Sequence, residues 1–341
     1  MEKFQHGGQI YNNFGKSQNF IDFSANINPL GLSQKIIQTL QKNLQGIVNY
    51  PDPNAIELKS AISQKYNVSA ENLILLNGAA EFFYLFCNVF RPKKILIPVP
   101  SFSEYERAAI SSGAEIEFFF TREDENFKID AEKLLQKNAD CLILGRPNNP
   151  TGFLISVEEI LRLSEKFSVV VDESFIDFLP EKSARNFLSE KIFVVQSLTK
   201  IFAIPGLRLG FAVAEKNFAE KLNFAKDVWN VNFLSQKAGV AALSDEKFLH
   251  ETRIWLETEK KYFVEKLSEL PIKIFPPSVN FILIRLESKE LAAVALKKLR
   301  EKKILVRSCA NFVGLDERYL RLAIRSREEN NFLIEALREI L

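Results

Sequence analysis

Methionine occurs once in the 341 residues, histidine and tryptophan twice each, and cysteine three times. Cys87, Cys141 and Cys309 lie far apart and form no CxxC pair. With so few histidines, neither a zinc site nor any other metal centre is expected, and the thiols read as reduced core residues of a cytoplasmic protein. Long apolar runs are absent too. The most apolar stretch, Phe82–Phe90 (FFYLFCNVF), has about half the length that a helix needs to cross a bilayer. Residues 1–18 hold no apolar run of leader length, so no secretory leader is expected. A charge excess is lacking as well: 45 basic and 43 acidic side chains leave +2. No overall field would draw nucleic acid or an anionic membrane to this chain.

What is present is a large apolar complement, 47% of the residues, with 30 phenylalanines. At about 150 residues per domain this length predicts two domains. Between residues 70 and 215 short apolar runs alternate with helix-period stretches. Leu73–Leu76, Ile95–Pro98, Glu115–Phe120, Cys141–Gly145, Ser168–Asp172, Ile192–Gln196 and Leu209–Ala214 read as strands, mostly buried on both faces. Val157–Lys166 shows helical spacing. The alternation predicts an α/β fold with a doubly wound, mostly parallel sheet. From residue 216 the pattern turns helical, with a long helix through 253–270. It then becomes an α+β unit with strands at 280–285, 305–307 and 319–324 and a last helix over 328–341. The expected organisation is an arm over 1–35 that packs on the small domain and a partner subunit, a large domain over 36–240 and a small domain over 241–341.

Ligands of open α/β sheets bind beyond the carboxyl ends of the strands. Each strand end here carries a feature with two readings. Asn77-Gly78-Ala79-Ala80-Glu81 is either a tight turn or a helix start that presents N–H groups to an anion. Phe102 is a core residue or a stacking ring. Asn149, in Arg146-Pro147-Asn148-Asn149-Pro150-Thr151-Gly152, belongs to a plain turn or aims an amide at a ligand. Asp172 caps the following segment or pairs with a cation. Lys200 follows a buried strand, where an ammonium loses protons readily, and Arg208 with Ser197 and Thr199 could hold a phosphate.

Taken in order, NGAAE, PSF, NNPTG, DES, SLTK and LR resemble the fold-type I pyridoxal-phosphate enzymes of the histidinol-phosphate aminotransferase group over nearly the whole chain. The resemblance implies pyridoxal 5′-phosphate as cofactor and Lys200 as the lysine that condenses with its aldehyde. It implies that Asp172 pairs with the pyridine nitrogen, that Asn149 bonds the 3′-oxygen and that Phe102 stacks on the ring. Gly78, Ala79, Ser197, Thr199 and Arg208 would then hold the phosphate. Tyr50, in YPDPN, would reach the phosphate of a neighbouring subunit in a homodimer with shared active sites.

The N-terminal strings His6-Gly7-Gly8 and Ser24-Ala25-Asn26-Ile27-Asn28-Pro29-Leu30-Gly31 resemble one branch of that group, the threonine-phosphate decarboxylases of cobalamin biosynthesis. Phe175 stands where the aminotransferases carry a tyrosine, which points the same way. Arg321 matches an arginine that the aminotransferases use on an acidic substrate group. Residues 321 and 325 share one face of a strand, so Arg321 and Arg325 are expected to converge on a phosphate together with His6 and Asn28. The implied substrate is threonine phosphate or serine phosphate, which differ by a methyl worth about 1–3 kcal/mol in a pocket. The alternatives are a histidinol-phosphate aminotransferase and, against the intact lysine set, an inactive relative that only binds.

Overall fold

A computed structural model describes residues 4–11, 14–179 and 183–341. Parts of the expected arm, residues 1–3 and 12–13, lie outside the described residues.

Strand β1 (Ile21–Asp22) lies in the N-terminal segment. The apolar runs that follow become β2 (Leu73–Leu76), β3 (Lys94–Val99), β4 (Glu115–Phe120), β5 (Cys141–Gly145), β6 (Ser168–Asp172), β7 (Ile192–Ser197) and β8 (Gly210–Val213). They form one seven-stranded sheet in the order β2-β8-β7-β6-β5-β3-β4. All neighbours run parallel except β8, which is antiparallel to both β2 and β7. Strands β2, β5, β7 and β8 are buried along their whole length, because helices cover both faces of the sheet. The helix Val157–Lys166 has the bounds that its pattern predicts. Ser156 and Glu159 close a capping box at its start, and Ile160 and Leu163 point into the core.

The second sheet is built from β9 (Lys273–Ile274), β10 (Phe281–Arg285), β12 (Arg307–Ser308) and β13 (Tyr319–Ala323), in the order β12-β13-β10-β9 and antiparallel throughout. The run expected as one strand over 305–307 is divided. Its first part joins β11 (Ile304–Leu305), which pairs in parallel with β1, and Arg307 opens β12. Phe23, fully buried, donates its N–H to Leu305 O at 2.7 Å and accepts from Ala323 N at 2.9 Å. Residues 21–23 are thereby stitched to the C-terminal unit. The long helix spans Glu246–Leu267, starting earlier than its periodicity predicts because Asp245 caps it.

Residue 240, the expected boundary, falls inside the helix Phe233–Leu243, whose Ala238, Ala241 and Ala242 are buried. A Cβ on Gly239 would stand 2.7 Å from both Leu209 and Leu58, so this helix is wedged against the helix Ile56–Tyr66 and the residue that leads into β8. Among the described residues no helix is long and apolar enough to cross a membrane.

Candidate active site

The carboxyl ends of β3, β5, β6 and β7, the turn after β2 and one face of the small sheet enclose a cavity of about 450 Å³. His6, Ala79, Phe102, Asn149, Asp172, Ser197, Thr199, Lys200, Arg208 and Arg321 all line it. Gly78 lies beside it in the left-handed region, at φ +85°. A Cβ there would come within 2.2 Å of Arg208 Nη2, so only glycine lets the guanidinium lie over this turn. The N–H groups of Ala79 and Ala80, just before the helix Glu81–Phe90, have no protein acceptor among the described residues. The Ser197 and Thr199 hydroxyls are 2.7 Å apart. Donors of this kind around one turn form an anion cradle.

Asp172 ends β6 and is buried. Tyr105 donates its hydroxyl to Oδ2 at 2.6 Å, and Ser174 donates its N–H to Oδ1 at 2.9 Å. Burial pushes the carboxyl above its ordinary range, against the pull of these neutral donors and of Lys200. Lys200 is pulled down to about 8, first by burial and then by Arg208 and Arg321. Beneath them Arg146 and Glu173 form a fully buried ion pair at 2.7 Å. This pair ties the end of β5 to the end of β6, and Glu173 also accepts from Ala184 N at 2.7 Å, which fastens the turn at residues 184–186 to the same point.

The small sheet contributes two guanidiniums. Arg307 and Arg321 face one another across β12 and β13, both buried and both in the cavity wall. Arg321 donates from Nη2 to Ser24 O at 2.7 Å and from Nη1 to Asn149 Oδ1, while its Nε is buried without a partner. Burial lowers its pKa to about 10. Arg307 donates to Gln5 O at 2.7 Å and Asn311 Oδ1 at 2.6 Å, and lies over the Phe312 ring. Neither has a carboxylate partner among the described residues. Two adjacent buried cations without a counter-ion suit a dianionic ligand.

The aminotransferase class I and II family matches residues 18–337. This chain belongs to that family. The chain is 36% identical to the threonine-phosphate decarboxylase of Salmonella typhimurium, over 94% of this chain and 91% of that enzyme. Two solved structures share its shape. The histidinol-phosphate aminotransferase of Clostridium acetobutylicum superposes with a TM-score of 0.87 at 32% identity, over 93% of this chain and 98% of its own. The L-threonine-O-3-phosphate decarboxylase of Porphyromonas gingivalis superposes with a TM-score of 0.83 at 31% identity, with the same coverage.

Class I and II aminotransferases work with pyridoxal 5′-phosphate, and the cavity fits it. It offers a buried carboxylate whose hydrogen-bond donors are neutral, an amine close to neutrality and a cradle of unused N–H groups beside Arg208.

Two of the residues expected on the substrate, Asn28 and Arg325, do not line the cavity. Asn28 is spent inside the protein. Its amide donates to Ile201 O and Thr252 Oγ1, both at 2.8 Å, and its oxygen accepts from Leu30 N. It ties the N-terminal segment to the Lys200 turn, and Asn26, with a buried unpartnered Oδ1, lines the cavity in its place. Arg325 does not converge with Arg321, because β13 ends at Ala323 and the chain turns into the helix capped by Ser326. Its guanidinium binds Asp22 O and Glu329 instead. Tyr50 lies outside this chain's cavity, exposed and stacked on Trp229 at 4.5 Å. Phe175 does line the cavity, packed edge-on against Phe281. The residues that sequence reasoning missed are Tyr105, Glu104, Asn26 and Arg307. The first three sit inside or beside quoted strings, whereas Arg307 carried no signal.

Proposed function

We propose that the chain is a pyridoxal-phosphate-dependent decarboxylase of L-threonine O-3-phosphate or L-serine O-phosphate, yielding the amino-alcohol phosphate for the cobamide nucleotide loop. The observation that carries the reading is the pair of guanidiniums, Arg307 and Arg321, with no acidic partner among the described residues. The substrate's phosphate binds there with His6 and Asn26, which line the same cavity. With Arg307 and Arg321 engaged by the phosphate, the substrate's carboxylate would lie away from them, and the bond that joins it to Cα is the one that decarboxylation breaks. The Salmonella relative's name supports this reaction over the transamination alternative.

Phe102 would cover the cofactor ring, Asp172 would pair with its nitrogen and Asn149 would hold its 3′-oxygen. Gly78, Ala79, Ser197, Thr199 and Arg208 would hold its phosphate. When bound, pyridoxal phosphate supplies the electron sink for the pair left at Cα. Lys200, with a pKa near 8, presents its Nζ as the group that holds and returns a proton at Cα after CO₂ departs. The check is product analysis with threonine phosphate, serine phosphate, and histidinol phosphate plus 2-oxoglutarate. CO₂ and an amino-alcohol phosphate are expected. Formation of a keto acid instead would sink the reading.

We also propose a cytoplasmic homodimer. Ile47, Val48, Tyr50 and Trp229 form an exposed apolar band around the Tyr50–Trp229 stack. Tyr50 would reach the cofactor phosphate of the second subunit. Sedimentation at the mass of a single chain would argue against it.

A further inference from the structure

Glu104 is, beside Asp172, a second carboxylate in the wall of a cavity rich in anion-binding groups, and it is 6% exposed. A buried negative charge in that place opposes the ligand unless something compensates it. His6 Nε2 lies 2.8 Å from Oε1, and Tyr84 donates its hydroxyl to Oε2 at 2.6 Å. Arg107 stands 3.6 Å away, at the solvent side. Burial pushes the carboxyl up, and the hydrogen bonds from His6 and Tyr84 overcome it and hold the group below its ordinary value. The carboxylate therefore persists, with a proton held on His6 Nε2. His6 Nδ1 makes no hydrogen bond among the described residues, and the ring lines the cavity 5.4 Å from Phe102.

The flanking backbone fixes the same stretch. Gln5 O accepts from Arg307 Nη2 at 2.7 Å. Gly8 donates its N–H to Ser24 Oγ at 2.8 Å, and Ser24 O accepts from Arg321 Nη2. A Cβ on Gly7 would stand 2.1 Å from Ser24 O, so the segment lies flush on the wall. Residues 5–8 thus touch Arg307 directly and reach Arg321 through Ser24, and Glu104 is the group that orients the one ring among them.

We propose that Glu104 is a positioning residue: it holds His6 with one nitrogen bound and the other turned to the substrate's phosphate, and so selects phosphorylated amino acids. The proposal rests on the phosphate-binding half of the functional reading. Donation from both ring nitrogens takes the imidazolium form, in which His6 and Glu104 together carry no net charge and leave the two arginine charges undiminished for the dianion. His6 adds a directed donor that a bare amino acid has no use for.

The test is made on holoenzyme, with Kd read from the change in cofactor absorbance for threonine phosphate and for threonine. In Glu104→Gln, Kd for threonine phosphate is expected to rise roughly tenfold, with that for threonine unchanged. His6→Ala should give the same selective loss, and the double variant no more than either single one. Tyr84→Phe, which removes only the second hold on the carboxylate, should show a smaller loss of the same pattern and guards against misfolding of Glu104→Gln. Equal weakening of both ligands, or losses that multiply in the double variant, would overturn the proposal. Binding is read whether or not CO₂ is released. If product analysis rejects decarboxylation, histidinol phosphate against histidinol gives the same test.

Discussion

Lys200→Ala is expected to lower CO₂ release from threonine phosphate by roughly 10³-fold or more, since it removes both the covalent anchor of the cofactor and the nearest proton carrier. The cavity prepares this amine in advance. Burial and the neighbouring Arg208 and Arg321 bring its pKa to about 8, so about a tenth is unprotonated at pH 7. An exposed lysine at about 10.4 would hold almost none. The sign of the pH effect follows, because only the free amine attacks an aldehyde. The rate at which apoenzyme takes up pyridoxal phosphate should rise with pH and level off above about 8, and the alanine variant should take up none covalently. Retention of activity within tenfold in Lys200→Ala, or an uptake rate still climbing steeply at pH 10, would remove Lys200 from this role.

The second large effect is expected at Arg321. Arg321→Ala should raise KM for threonine phosphate by two to three orders of magnitude, equivalent to about 3–4 kcal/mol, the range for removing one partner of a buried charge pair. Arg321→Lys should recover only part of this, because a single ammonium cannot reproduce the fork that reaches Ser24 O and Asn149 while facing the ligand. The fold itself should tolerate the alanine. With the cavity free of anions, Arg321 opposes Arg307 across the strands, and removing one cation relieves that repulsion. Kinetics of Arg321→Ala beside its thermal melt give the check. A melting temperature that collapses while KM stays unchanged would make Arg321 a framework residue only.

Sequence and structure agree where local chemistry decides the outcome. The strands of the large sheet are legible because parallel strands buried on both faces must be continuously apolar. The loop residues that follow them are legible because a lysine, an aspartate and an amide at strand ends have few reasons to be there. The second anion-binding arginine is a different matter. Arg321 and Arg325 share a face only while the strand continues, and Ser326 ends that continuation by capping a helix. Arg307 comes opposite Arg321 through the antiparallel register of β12, a relation between strands that neither string contains. Asn28 shows the same limit, since its partners Ile201 and Thr252 lie 173 and 224 residues away. Tyr105 occupies a helix pattern that fits a core residue equally well, and only the packing brings its hydroxyl to Asp172.

The parallel pairing of β1 with β11 also governs the order of assembly. Residues 21–23 leave the ribosome long before their partners at 304–305 and 323 exist. Throughout synthesis the first segment of the chain waits without a strand to join, while the seven-stranded sheet gains its members in turn. His6, Asn26 and the carbonyl that anchors Arg321 take their places only when the last sheet arrives. A nascent large sheet therefore already carries Asp172 and Lys200 but has no anion-binding wall. The completed cavity needs residues 21–24 to meet residues 304–323, contacts of high sequence separation.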